Sequence, residues 1–166
     1  MATAERSLAQ PGGAALKPFL YRAYAAVRRV LPPRITLGVR AIVVDSEGRV
    51  CLVRHTYRDG WFLPGGGVKT RESIRDAMSR ELYEETGVRL LERPQRVLGV
   101  YSSFQEHMSD HVVVFVIEDW QQEDVHSAEI AEVAFFRPDS LPEGTSTATN
   151  RRVKEWMTGV PPGHRW

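Results

Sequence analysis

GGVKTRESIRDAMSRELYEETGV, residues 66–88, sets Glu72, Glu81, Glu84 and Glu85 around Arg80 in a segment with helical periodicity. Ser73 is a suitable N-cap with Asp76 three residues on, and Gly87 is a natural C-terminal stop. Advancing one residue per 100°, Ile74, Ala77, Met78 and Leu82 share one stripe, while Arg75, Asp76, Ser79 and Tyr83 form the exposed face. Glu81 and Glu85 project into the apolar stripe and Glu84 lies on its flank. Glu72 precedes the helix, where a negative charge suits the N-terminal dipole.

An acidic run is ordinarily a solvated helix face. Here the glutamates lie off the exposed face, and carboxylates aimed at the core side must be paired, neutralised or metal-bound. Acids three and four apart also repel one another. Arg80, four residues before Glu84, is not expected to pair Glu81, Glu84 and Glu85 by itself. Hard divalent cations prefer carboxylate oxygens, so a metal site is expected.

Gly66, five residues, Glu72, seven residues, then Arg80-Glu81-Leu82-Tyr83-Glu84-Glu85-Thr86-Gly87-Val88 matches every fixed position of the Nudix box. The lead-in Trp61-Phe62-Leu63-Pro64-Gly65-Gly66-Gly67 also resembles the strand and loop that enter that box. The resemblance to the Nudix hydrolase family spans roughly residues 36–157 in its order of elements, and the box is its diagnostic part. It implies an α/β/α sandwich around a mixed sheet. It also implies hydrolysis, with Mg2+ or Mn2+, of a diphosphate linkage in a nucleoside diphosphate joined to another group, by water attack on phosphorus.

Carried over position by position, Glu81, Glu84 and Glu85 match the family's metal ligands. Gly65 matches a position that offers a backbone carbonyl to the metal. Arg80 is then expected to hold the glutamates, and Glu72 to brace the loop–helix junction. For the general base, Glu84 is the first candidate within the box. The candidates outside it are Glu106, His107, Asp110, His111, Glu129 and Glu132, with Glu129 ranked first because family members often place a metal-facing acid just before such a strand. For substrate contacts, Arg54 sits where related proteins place a phosphate-binding arginine, and Arg40 alternates with apolar neighbours. Tyr101, with Trp61, Phe62 and Phe104, is a candidate for stacking a base, against the plainer alternative of core packing.

Length and composition agree with one domain. A chain of 166 residues that is 42% hydrophobic supports one sizeable core and is short for two. The formal charge of +1 argues against generic polyanion binding. The lone Cys51 in an apolar run excludes a disulfide framework or cysteine-rich zinc site, and reads as a small buried hydrophobe. It gives poor support to a diphosphate isomerase, which would need a reactive cysteine in the cleft. No apolar run approaches transmembrane length and no secretory signal is read, so a cytoplasmic location is the expectation.

Residues 1–16 read as a loose tail and 17–33 as a basic amphipathic helix closed by Pro32-Pro33, with the Nudix domain over 34–166. Leu20, Tyr24, Val27 and Leu31 line one side of residues 17–31. That face suits packing on its own domain or on a second subunit, as in a homodimer, ahead of a membrane surface or an organellar targeting role. Strands are expected over 37–45 and 49–55 as a hairpin through Ser46-Glu47-Gly48, over 97–104 and 111–118 around a polar loop at 105–110, and over 133–137. Residues 118–129 read as an acidic loop and 147–157 as a closing helix.

The substrate is left open. The proline expected well downstream of the box in ADP-ribose hydrolases is missing, only Pro94 standing close behind it, and the motifs of NADH and coenzyme A diphosphatases are absent. The alternatives to a nucleotide hydrolase are a pyrophosphohydrolase acting on RNA 5′ ends, which is not favoured, and a non-catalytic nucleotide-binding module. Such modules usually lose box glutamates, and here none is lost.

Overall fold

Val39, Ala41, Ile42 and Val43 are all fully buried, so the strand they form is covered on both faces. This strand, β1 (Arg34–Val43), organises the computed structural model, which describes residues 34–91, 96–105 and 108–166. The tail and basic helix expected over 1–33, together with Pro94, Glu106 and His107, lie outside the described residues. The elements that follow β1 are β2 (Val50–His55), α1 (Ile74–Thr86), β3 (Val88–Leu90), β4 (Arg96–Gln105), β5 (Met108–Ile117), β6 (Trp120–Gln122), β7 (Ile130–Phe136) and α2 (Thr147–Thr158).

β1 pairs in parallel with β5, which pairs antiparallel with β4; β2 pairs with β7 and β3 with β6, both antiparallel. Alternation along β1 divides its side chains between two cores. Val39, Ala41 and Val43 join Val113, Phe115 and Ile117 under Ala77, Met78 and Leu82 of α1. Ile42 joins Leu52, Tyr101, Val114 and Val116 under Val153 and Trp156 of α2. The result is the expected α/β/α sandwich around a mixed sheet.

Several local expectations change. The turn at 46–48 does form, with Asp45 accepting from the backbone N–H groups of Glu47 and Arg49. Past one bridge between Val44 and Val50, however, β1 and β2 part to pair with β5 and β7, so no extended hairpin exists. Burial of β1 on both faces outweighs the local turn preference. β4 and β5 run on through most of the expected polar loop, which puts Asp110 in a strand beside His111. The acidic segment 118–129 contains β6, and β3 begins at Val88, the last residue of the box. Both were hidden from sequence reading by their three-residue length.

Candidate active site

α1 is built as its sequence demands. Ser73 Oγ accepts from the Asp76 backbone N–H, and Gly87 closes the helix in a left-handed conformation with its N–H donating to the Tyr83 carbonyl. Ala77, Met78 and Leu82 are buried, while Ile74 at the first turn is exposed. The helix therefore presents its remaining stripe positions, Glu81 and Glu85, at the entrance of the preceding glycine loop.

Arg80 does more than the sequence suggests. Its Nε donates to Glu72 Oε1 at 2.7 Å and Nη2 to Glu72 Oε2 at 2.9 Å, a bidentate pair. Nη1 donates to Glu81 Oε1 at 2.7 Å and to Glu84 Oε2 at 3.2 Å, and Nη2 also reaches the Gly67 carbonyl at 3.1 Å. One guanidinium thus holds three carboxylates and the loop backbone. The Arg80 hydrogen bonds, helped by the Lys69 backbone N–H, hold the Glu72 carboxyl down at about 2. Arg80 pairs Glu72, Glu81 and Glu84 and leaves out Glu85, so it does not by itself pair Glu81, Glu84 and Glu85.

Glu85 accepts a 2.7 Å hydrogen bond from the Gly65 backbone N–H. Burial pushes its carboxyl up to about 7, an effect that the Gly65 bond and the Arg40 charge oppose, while Glu81 and Glu129 add to it. The loop backbone is pressed against these groups. Gly65 adopts φ 130°, and a Cβ there would stand 2.3 Å from the Val39 carbonyl oxygen. A Cβ on Gly66 would stand 2.4 Å from the Glu81 carboxyl.

Two openings flank this cluster. In a groove of about 390 Å3, Glu81, Glu84 and Glu85 face His126 and Glu129 from the segment before β7. A second cleft, of about 410 Å3, places Arg40 and Arg58 beside Gly66 and Gly67, opposite Asp110 and His111 of β5. Arg58 stacks over Phe62 at 3.9 Å. Asp110 accepts from the Thr36 hydroxyl, and His111 Nδ1 lies 3.0 Å from Ser102 Oγ. Neither His126 nor Arg58 stood out in the sequence, since one sits in an acidic stretch and the other in a turn, with no periodicity to aim it.

The remaining nominees are placed elsewhere. Arg54 donates to Glu132 at 2.6 Å across β2 and β7, both side chains half exposed, and neither lines the two openings. The placement of Tyr101 overturns its nomination as a stacking residue. Its side chain is fully buried, its hydroxyl donates to Glu155 at 2.9 Å, and Arg152 packs 3.9 Å over its ring. Cys51 is buried, with its thiol pushed up to about 12 by desolvation.

The donor chemistry fits a hard divalent cation. Glu81, Glu84, Glu85 and Glu129 supply only oxygens at one groove, and among the described residues Glu85 has no ion pair within 4 Å, only the more distant charge of Arg40. As the side chains stand, no three acidic, imidazole or thiol groups among the described residues converge enough to hold an ion. Arg80 accounts for this, because it draws Glu81 and Glu84 toward itself. No helix among the described residues is long and apolar enough to cross a membrane.

A family model described as the NUDIX domain matches residues 34–157. A MutT-like protein of Streptomyces ambofaciens is 27% identical over 131 residues, covering 79% of this chain and 82% of that protein. An ADP-ribose pyrophosphatase of Methanocaldococcus jannaschii is 29% identical over 106 residues, covering 61% of this chain and 62% of that one. Among solved structures, a UDP-X diphosphatase superposes with a TM-score of 0.62 and 26% identity, over 90% of this chain and 80% of the other.

Proposed function

Because the chain belongs to the NUDIX family, a family of hydrolases acting on pyrophosphate bonds, we propose that it cleaves the diphosphate linkage of a nucleoside diphosphate joined to a second group. The carrying observation is that Glu81, Glu84, Glu85 and Glu129 line one groove, while Arg80 is already committed to three acids. That leaves a concentration of negative charge suited to Mg2+ or Mn2+. When bound there, such an ion neutralises phosphate charge and lowers the pKa of a coordinated water.

The chain's own groups supply the rest. Glu81, Glu84 and Glu85 would be the side-chain ligands, with the Gly65 backbone beside them. Arg80 acts as a positioning residue by fixing the rotamers of Glu81 and Glu84, and Glu72 fixes Arg80 in turn. Arg40 and Arg58 stand where a diphosphate entering the second cleft would meet two guanidinium groups, which suits its anionic oxygens. Glu84, half exposed, is open to water from which it could accept a proton, as is Glu129 across the groove. ADP-ribose and UDP-X, named in two similar proteins, share a nucleoside diphosphate and differ beyond it, and this supports the substrate class proposed.

The test is product release from nucleotide sugars, dinucleotides, nucleoside triphosphates and capped RNA, with and without Mg2+. At least one diphosphate is expected to be cleaved in a metal-dependent manner. Glu84→Gln is expected to lower kcat on the order of a thousandfold with the fold intact, since it removes a charge that counts chiefly in the transition state. Wild type and Glu84→Gln that bind nucleotide equally, with neither turning over any substrate, would overturn the proposal in favour of a binding module.

A further inference from the structure

The second cleft runs along the α2 side of the sheet, and its two ends differ in charge. Thr36, Gly38 and Arg40 alternate onto the face of β1 that carries Ile42, and Asp110 and Val112 onto the face of β5 that carries Val114. Thr36 and Asp110 are partners in the β1–β5 register, four residues or about 13 Å of strand from Arg40. Between Thr36 and Arg40, Gly38 has no side chain, and it is bridged to Gly67, where a Cβ would meet nothing within 4 Å. A bare strip of backbone therefore joins the guanidinium end, at Arg40 and Arg58, to a carboxylate end at Asp110. Asp110 has no ion pair among the described residues. The Thr36 hydroxyl donates to its Oδ1, which leaves Oδ2 to accept from another group. Trp166 forms a wall of the same cleft. Its N–H donates to the Ser102 carbonyl at 3.1 Å, Arg151 donates to its carbonyl at 2.6 Å, and its ring packs edge-on to Tyr101 with centroids 6.1 Å apart.

We propose that this end of the cleft holds the nucleobase of the substrate, and that Asp110 selects a base carrying an exocyclic amino group. The inference rests on the diphosphate reading above, which sets the phosphates at Arg40 and Arg58. From there the strip toward Asp110 is long enough for a ribose followed by a ring, and no side chain interrupts it. The indole of Trp166 gives a planar ring an apolar surface to lie against. A carboxylate only accepts hydrogen bonds. An amino group of the cytosine or adenine kind donates to it. The uracil carbonyl at the same position turns an oxygen toward the carboxylate and leaves both acceptors unpaired, which discriminates against that base. A sugar in the second group would also offer donors, but a hydroxyl-rich ring makes less use of the indole.

The experiment is calorimetric binding to the full-length protein with Mg2+. The probes are the α,β-methylene diphosphates of cytidine and uridine, which resist cleavage and differ only in the base, and methylenediphosphonate, which has no base. The cytidine analogue is expected to bind about tenfold or more tightly than the uridine analogue. Asp110→Asn, whose amide can donate to a carbonyl, is expected to remove that preference. Trp166→Ala is expected to weaken both nucleotides about tenfold. Unaltered binding of methylenediphosphonate in each variant reports an intact fold. Equal affinities for the two nucleotides in wild type, or a preference that survives Asp110→Asn, overturns the inference while the diphosphate reading stands. Nucleotide binding unchanged by Trp166→Ala also overturns it, by taking the base out of this cleft. Failure of methylenediphosphonate and both nucleotides to bind removes the diphosphate reading, and this inference with it.

Discussion

Replacing Glu85 by glutamine tests whether this carboxylate is stored in the protein short of positive charge. Its carboxyl stands at about 7 in the fold against an ordinary value near 4.5, chiefly because it is buried. The unfolded chain therefore ionises first as pH rises. Between the two values the unfolded state binds fewer protons, and the native state loses stability with increasing pH. The full penalty, present above pH 7 and absent below about 4.5, is about 3 kcal/mol. In a domain of this size that corresponds to a melting temperature lower by about 10 °C. Thermal unfolding by circular dichroism in EDTA, from pH 5 to 8, should show this fall in wild type and a flatter profile in Glu85→Gln. Adding Mg2+ at pH 7.5 should restore much of the loss in wild type and much less in the variant, because an ion that binds only the folded state stabilises it. Parallel pH profiles, or equal responses to Mg2+, would refute the account of Glu85 as a buried acid awaiting a cation.

Two further substitutions separate site from scaffold. Gly66→Ala places a methyl group 2.4 Å from the Glu81 carboxyl, and Gly66 has no left-handed φ to make the change costly in backbone strain. The displaced carboxylate should weaken Mg2+ binding about tenfold or more, read by calorimetry, while unfolding free energy falls by less than about 2 kcal/mol. Tyr101→Phe leaves Glu155 without its hydroxyl partner. Denaturant unfolding should show a loss of about 1–2 kcal/mol, and kcat/KM on any diphosphate the wild type cleaves should stay within about twofold. A large rise in KM would return Tyr101 to the substrate site.

The helix of residues 74–86, its caps and the core-side direction of Glu81 and Glu85 were legible in the sequence because they depend on neighbours within four residues. A side-chain period of 3.6, a capping serine and a glycine stop are local physics, and the box spacing is dense enough to name the family. Strand positions were partly legible for the same reason, through alternation and turn residues. Their partners were not. β1 could have stayed with β2 through a good turn, and it leaves because burial on both faces and pairing with β5, more than sixty residues away, are worth more than the local hairpin.

What the sequence determined by itself is therefore the family, the spacing of the acids along the box and the scaffold class. Only the tertiary structure decided how those charges are shared. Arg80 reaches Glu72 because the loop from 65 to 73 folds back along α1, it pairs Glu81 and Glu84 of its own helix as well, and Glu85 is left with the Gly65 N–H as its one hydrogen-bond donor among the described residues. The same packing brings Glu129 and His126 to the groove, turns Arg40 and Arg58 into one cleft, and takes Tyr101 out of reach. Electrostatic roles of this kind depend on distance and desolvation between groups far apart in the chain, and neither quantity exists until the sheet has formed.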